Sequence, residues 1–194
     1  MSDQTPTDGV IAIRTATLAD AEAIARIHVA AWRAAYINIV PQTHLDNLCL
    51  NDRVKLWQRI LSDPETHAGI LIAEATKYTK RCPRNSLLGF ASFGPAAAAA
   101  AAAASSTREA ELRAIYIDPE SWGEGIGQKL WQAVERHFLA ARYETVVVRV
   151  LAGNKRAIKF YRAVGFGENV DGGTGEIEIE GKKLGVLRLR KRLL

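Results

Sequence analysis

Two stretches of this sequence hold residue types at spacings that can do chemistry. From Trp122 to Gln128 the chain reads WGEGIGQ, with Gly123, Gly125 and Gly127 alternating with Glu124 and Ile126. Glycines ahead of a helix leave backbone N–H groups unpaired at the positive end of the helix dipole, and their missing Cβ atoms let an anion come close. Such a turn is a phosphate cradle. From Asn154 to Phe166 the chain reads NKRAIKFYRAVGF. Asn154 is a good N-cap, Ala157, Phe160, Tyr161 and Val164 make an apolar stripe at helical spacing, and Gly165 is placed as the stop.

The elements that must position these groups can be read around them. Glu111 to Ile117 alternates and is rich in branched and aromatic residues, which predicts a strand ended by Asp118-Pro119. After the glycines, Ile126, Leu130, Val134 and Phe138 keep the period of one helix face. A strand therefore runs through the cradle into a helix. A P-loop would need a hydroxyl after its Gly-Lys, and Gln128-Lys129-Leu130 has none. A dinucleotide fold would want an acidic residue ending the next strand, and Thr145 to Leu151 ends in none. What remains is a pyrophosphate held without metal and without a ribose carboxylate.

Taken together the two stretches resemble the GNAT superfamily of N-acetyltransferases: a strand, an Arg/Gln-x-x-Gly-x-Gly/Ala loop, a strand, then Asn-x-x-Ala-x-x-Phe-Tyr-x-x-x-Gly-Phe. Asn154, Ala157, Phe160, Tyr161, Gly165 and Phe166 match the second element. Trp122 stands where Arg or Gln is usual in the first, so the implied pyrophosphate contacts fall to backbone N–H groups from Gly123 to Gln128. The likeness is closest over roughly residues 108 to 167.

The resemblance implies an α/β fold: one domain spanning 1–194, with a mixed, mainly antiparallel sheet flanked by helices and two central strands splayed at the cofactor. It implies acetyl-CoA as co-substrate, no metal, and a small-molecule or peptide amine as acceptor, attacked directly in a ternary complex; a homodimer is compatible with it. Implied cofactor contacts are Ile115, Ile117, Trp122, Gly123, Glu124, Gly125, Ile126, Gly127, Gln128, Asn154 and Tyr161. Tyr161 resembles the general acid that protonates the departing sulfur, or is a helix tyrosine with its ring in the core. An alkyl amine of pKa about 10.4 is almost wholly protonated at neutral pH, so a base should help. Glu111 is either that base or a strand-end charge paired across the sheet. The oxyanion would meet a backbone N–H near Ile117. On the first helix His28, Trp32, Arg33 and Tyr36 are acceptor-wall candidates, with His28 and Trp32 alternatively core residues whose polar atoms are satisfied. A non-catalytic acyl-CoA sensor is the rival reading.

The rest of the chain adds bounds. Its 194 residues, 48% hydrophobic, suit a single core. No apolar run is long enough to cross a bilayer and MSDQTPTDGV lacks a signal-peptide layout, so no membrane and a cytoplasmic location are expected. Cys49 and Cys82 have no metal-ligand spacing and are expected to be reduced. The net charge of +5 invites a nucleic-acid reading, yet zinc spacing, RNA-stacking motifs and a recognition-helix signature are lacking, and no nucleic-acid partner is expected. The C-terminal basic run reads as a solvated face, while Lys155, Arg156 and Lys159 could also meet a cofactor phosphate. Val10 to Thr15, Gly69 to Thr76 and Ser86 to Phe93 read as strands, as do Glu176 to Glu180 and Leu184 to Leu189. Thr17 with Asp20 opens the first helix, and Pro41 to Leu48 with Asn51 to Leu61 forms a second, broken one. The nine alanines from Ala96 to Ala104 sit in a low-complexity loop over 95–107.

Overall fold

The computed structural model describes residues 11–63, 69–76, 86–96, 108–168 and 175–193. Its strands are β1 (Ile11–Thr15), β2 (Ile70–Ala75), β3 (Leu87–Pro95), β4 (Glu109–Ile117), β5 (Thr145–Leu151), β6 (Gly167–Glu168), β7 (Gly175–Ile179) and β8 (Lys182–Arg192). Its helices are α1 (Ala21–Ala35), α2 (Gln42–Asp46), α3 (Leu50–Ser62), α4 (Ile126–Ala140) and α5 (Lys155–Ala163). The broken second helix is thus two, parted at Asn47–Cys49. Ahead of α1 a turn of 3₁₀-helix is locked by Asp20, whose carboxylate accepts the Thr17 N–H at 2.7 Å and pairs with Arg14 at 2.8 Å. Within the alanine run only Ala96 is described; it is buried. The rest of that loop and Cys82 lie outside the described residues.

All eight strands join one sheet, in the order β1-β2-β3-β4-β5-β8-β6 with β7 on β8. Every pairing is antiparallel except β4 with β5, which run parallel. That parallel ladder matches Glu109–Leu112 to Thr145–Val148 and then stops. Beyond it β4 stays with β3 as far as Ile117 opposite Gly89, while β5 stays with β8 as far as Leu151 opposite Val186. The two central strands fork at Leu112 and Val148. At the same level Ser92 pairs with Ala114 and Phe93 with Leu112, so Arg113 is the extra residue of a bulge.

Helices cover both faces for the reason their periodicity indicates. Leu130, Trp131, Val134 and Phe138 of α4 are buried against Ala91, Leu112, Val146 and Val148 on one face. On the other, Ile24 and Ile27 of α1 and Trp57 and Leu61 of α3 pack on Ile70, Ile72 and Phe90. A smaller cluster joins Val29 and Leu45 to Leu151 and Leu184. The sheet is mixed, mostly antiparallel and sandwiched between helices, as expected.

Candidate active site

The fork opens a cavity of about 370 Å³ bounded by β4, β5, α1, the glycine turn and α5. Strands that part leave edge groups unpaired, and here they can be identified. Asp118 donates its N–H to Leu88 O on the β3 side at 2.9 Å. Backbone groups of alternate residues point to opposite edges, so Ile115 and Ile117 direct theirs into the fork. Ile115 and Ile117 both line the cavity.

At one end stands the glycine turn. Gly123 and Gly125 adopt left-handed φ values of 89° and 78°, which a side chain would strain, and a Cβ on either would meet nothing within 4 Å. That open space is the cradle. Gly127 differs: its Cβ would sit 3.2 Å from the Phe160 ring, so this glycine lets α4 and α5 approach. Gly125 is the N-cap of α4, and the helix has neither a side-chain cap nor an acidic residue in its first turn. Its first-turn N–H groups therefore face the cavity end with their dipole uncompensated. Trp122 turns its indole N–H onto Ile117 O at 3.0 Å and lays its ring under Arg156, whose guanidinium carbon is 4.0 Å from the ring centroid. Both residues line the cavity, as does Gln128; Glu124 does not.

Midway along the cavity α5 contributes Asn154 and Tyr161. Asn154 caps the helix, its Oδ1 accepting the Ala157 N–H at 3.0 Å, which leaves the amide nitrogen to interact with the Tyr36 hydroxyl. Tyr36 also hydrogen-bonds Tyr116, whose hydroxyl accepts the Trp32 indole N–H at 2.9 Å. Burial pushes the pKa of Tyr36, Tyr116 and Tyr161 upward, and Tyr161 is raised further by the neighbouring Tyr36. All three hold their protons well above neutral pH.

The other expected site residues are placed differently. Of the four acceptor-wall candidates Tyr36 lines the cavity, whereas His28, Trp32 and Arg33 do not. His28 stacks on Tyr116 with centroids 5.1 Å apart and accepts the Trp57 indole N–H at Nδ1, 3.1 Å away. Burial, with the Arg53 charge second, lowers its pKa to about 4, so it is a neutral core group. Arg33 donates to the carbonyls of Leu45 and Leu48 and so closes the C-terminal end of α2. Glu111 is buried outside the cavity lining, its Oε1 accepting Nε and Nη2 of Arg149 at 3.0 and 2.7 Å. Sequence reasoning missed Arg113, Tyr116 and Arg149, all cavity-lining. Tyr116 sits between two fork-facing isoleucines and so points to the α1 side; Arg149 is the one charge in TVVVRVL.

The arrangement can receive an anion at one end and an extended chain along its length. It has an uncapped helix end open to phosphate, a groove edged by unpaired backbone groups, and protonated hydroxyls at its depth. Among the described residues no group of three or more His, Cys, Asp or Glu side chains is gathered to hold a metal, and no helix is long and apolar enough to cross a membrane. Relatives agree. A Bacillus subtilis (strain 168) protein known as the uncharacterized N-acetyltransferase YuaI is 29% identical over 154 residues, 79% of each chain. In fold the chain is similar to the PaiA N-acetyltransferase of Thermoplasma acidophilum in complex with coenzyme A. The TM-score is 0.66 and the identity 18%, covering 94% of this chain and 98% of that one. It is also similar to yncA of Salmonella typhimurium with its cofactor acetyl-CoA, at TM-score 0.63 and 19% identity over 96% and 95% of the two chains. Residues 25–166 match the acetyltransferase (GNAT) family and contain most of α1, the fork, the cradle and α5, and the chain belongs to that family of acyltransferases.

Proposed function

We propose that the protein transfers the acetyl group of acetyl-CoA to a primary amine by direct attack in a ternary complex. The observation that carries this reading is the fork, because it joins a phosphate cradle to a row of unpaired backbone donors with Tyr161 and Asn154 alongside. Acetyl-CoA supplies an activated carbonyl: the C–N bond forms as the C–S bond breaks, the amine loses a proton and the sulfur gains one. The chain's own contribution is positional and electrostatic.

The first-turn N–H groups of α4 hold the pyrophosphate, with Arg156, fixed on the Trp122 ring, supplying the charge that the loop itself lacks. The backbone of Ile115 and the N–H of Ile117, whose carbonyl is taken by Trp122, align the pantetheine arm, and the two N–H groups receive the charge that develops on the carbonyl oxygen. Asn154 orients Tyr36 and meets the same arm. Tyr161 remains protonated in its buried place and donates to the departing sulfur. Glu111 serves as the counter-ion of Arg149, and the amine proton leaves through water.

The test is a calorimetric titration with acetyl-CoA beside an acetyl thioester of pantetheine that lacks the nucleotide and its phosphates. Loss of the pyrophosphate should weaken binding about a hundredfold, the scale of a few charge-assisted hydrogen bonds. Equal affinities would remove the cradle from the account.

A further inference from the structure

The acceptor end of the cavity has a chemical character of its own. One residue past the last paired position of β4 and β5, both strands carry arginine: Arg113 follows Leu112 and Arg149 follows Val148. Both line the cavity. A Cβ on Gly94 would lie 2.7 Å from Nη2 of Arg113, so the guanidinium lies across Gly94, where a side chain would displace it. Gly94 pairs with Glu111, and antiparallel partners share a face, so Arg113 reaches the face on which Arg149 meets Glu111. Residues two apart on a strand share a face, so alternation from Glu111 already puts Arg113 there, and the bulge leaves it without a partner position on β3.

Neither guanidinium is consumed by these contacts. Arg113 gives Nη1 to Phe93 O, and Arg149 gives Nε and Nη2 to a single oxygen of Glu111 while its side chain stays 63% exposed. Two positive charges stand against one negative. Arg188, opposite Arg149 on β8, is occupied with Glu109 at 2.6 Å and does not line the cavity. Among the described residues the lining contains no Asp or Glu at all, whereas three arginines contribute to it, and the third, Arg156, belongs to the phosphate end. A polycationic amine would find repulsion at the fork and no carboxylate to hold it.

We infer that the acceptor is a small amine carrying a carboxylate near its amino group, as a free amino acid does, with Arg113 and Arg149 as its carboxylate clamp. Planar guanidiniums match carboxylates in geometry as well as charge. Binding the carboxylate at the fork sets the neighbouring amine against the acyl end of the groove. The inference rests on the acetyl-transfer reading above.

The experiment separates the two. Acetyl-CoA binding is measured first by calorimetry; no binding would defeat the transfer reading and this inference with it. With binding established, acetyl-CoA-dependent thiol release is followed with a panel of free L-α-amino acids, each beside its methyl ester and its decarboxylated amine, and with spermidine. Acids should be used with a KM lower than their esters by about tenfold or more, and spermidine poorly. Arg149→Gln should raise the KM for the acid by a similar factor, about tenfold, and leave the KM for the ester and for acetyl-CoA unchanged. Because that change leaves Glu111 without its partner, Arg113→Gln and the double variant Glu111→Gln/Arg149→Gln provide the same readout with folding checked by thermal melts. Turnover of esters or spermidine at least as good as that of acids, or acetyl-CoA binding with none of the acids turned over, overturns the inference while leaving the transfer reading in place.

Discussion

Arg156 lies over the indole of Trp122 at 4.0 Å from its centroid, and the same indole donates to Ile117 O at 3.0 Å. One side chain thereby ties the end of β4, the glycine turn and the start of α5 into a single wall. Arg156→Ala should weaken acetyl-CoA binding about tenfold, since it removes a charge-assisted contact. Trp122→Ala should cost at least as much, because it loosens the turn and frees Arg156 together. The two losses should not add: a double-mutant cycle by calorimetry should return a coupling of about 0.5–1 kcal/mol. Additive losses would mean that the stacked pair does not act as a unit.

The glycines should separate by role. Gly125→Val places a branched side chain at φ 78° and in the open cradle, so it should abolish measurable acetyl-CoA binding and lower stability by about 1–2 kcal/mol. Gly127→Ala pushes on Phe160 instead but gains helix propensity within α4, so stability should stay within about 1 kcal/mol of wild type and the dissociation constant within a fewfold. Thermal melts beside titrations show the split; a binding loss from Gly127→Ala larger than that from Gly125→Val would contradict it.

Tyr161→Phe should lower kcat and leave acetyl-CoA affinity near wild type, because the ring still fills its place. The pH profile carries the sharper expectation. Burial raises the folded-state pKa of Tyr161, so the folded protein keeps a proton that the unfolded chain loses near pH 10. Stability supported by the neutral hydroxyl is therefore intact below about pH 10 and falls above it. No alkaline limb in kcat should arise from Tyr161 below that point. A wild-type limb near pH 8–9 that vanishes in Tyr161→Phe would show the hydroxyl ionising far more easily than its burial allows.

His28 gives the opposite sign. Its pKa falls from 6.5 to about 4 on folding, so the unfolded chain takes up a proton first as the pH drops. The stability carried by the neutral imidazole is full above pH 6.5 and is lost between 6.5 and about 4, on the order of 3 kcal/mol. His28→Gln, which can still accept from Trp57, should be flatter across that window in urea melts. An equal slope in both proteins would place His28 in water.

What could be read from the sequence was local. The cradle and the α5 motif lie within runs of a dozen residues whose caps, glycines and periodicity act on their neighbours, and the structure puts Asn154, Gly125 and Gly165 in those positions. The order of strands and helices followed for the same reason. The contents of the site depend on register, which no local pattern encodes. That Arg149 meets Glu111 follows from β4 and β5 pairing in parallel, 38 positions apart in sequence. The Trp32–Tyr116 bond spans 84 positions and depends on how α1 lies across the sheet. Trp122 looked like a lost contact because its type was judged against one position of a motif; its partner Arg156 comes from the next motif.

The central claim is tested most directly by incubating the protein with acetyl-CoA and an amine panel while measuring free thiol and acetylated amine together, the latter by mass spectrometry. Thiol and acetylamine should appear in equal amounts, at a rate proportional to enzyme, and Tyr161→Phe should slow both equally. Tight acetyl-CoA binding with thiol release no faster than the uncatalysed background for every amine tested would contradict catalysis and leave a protein that holds the thioester without using it.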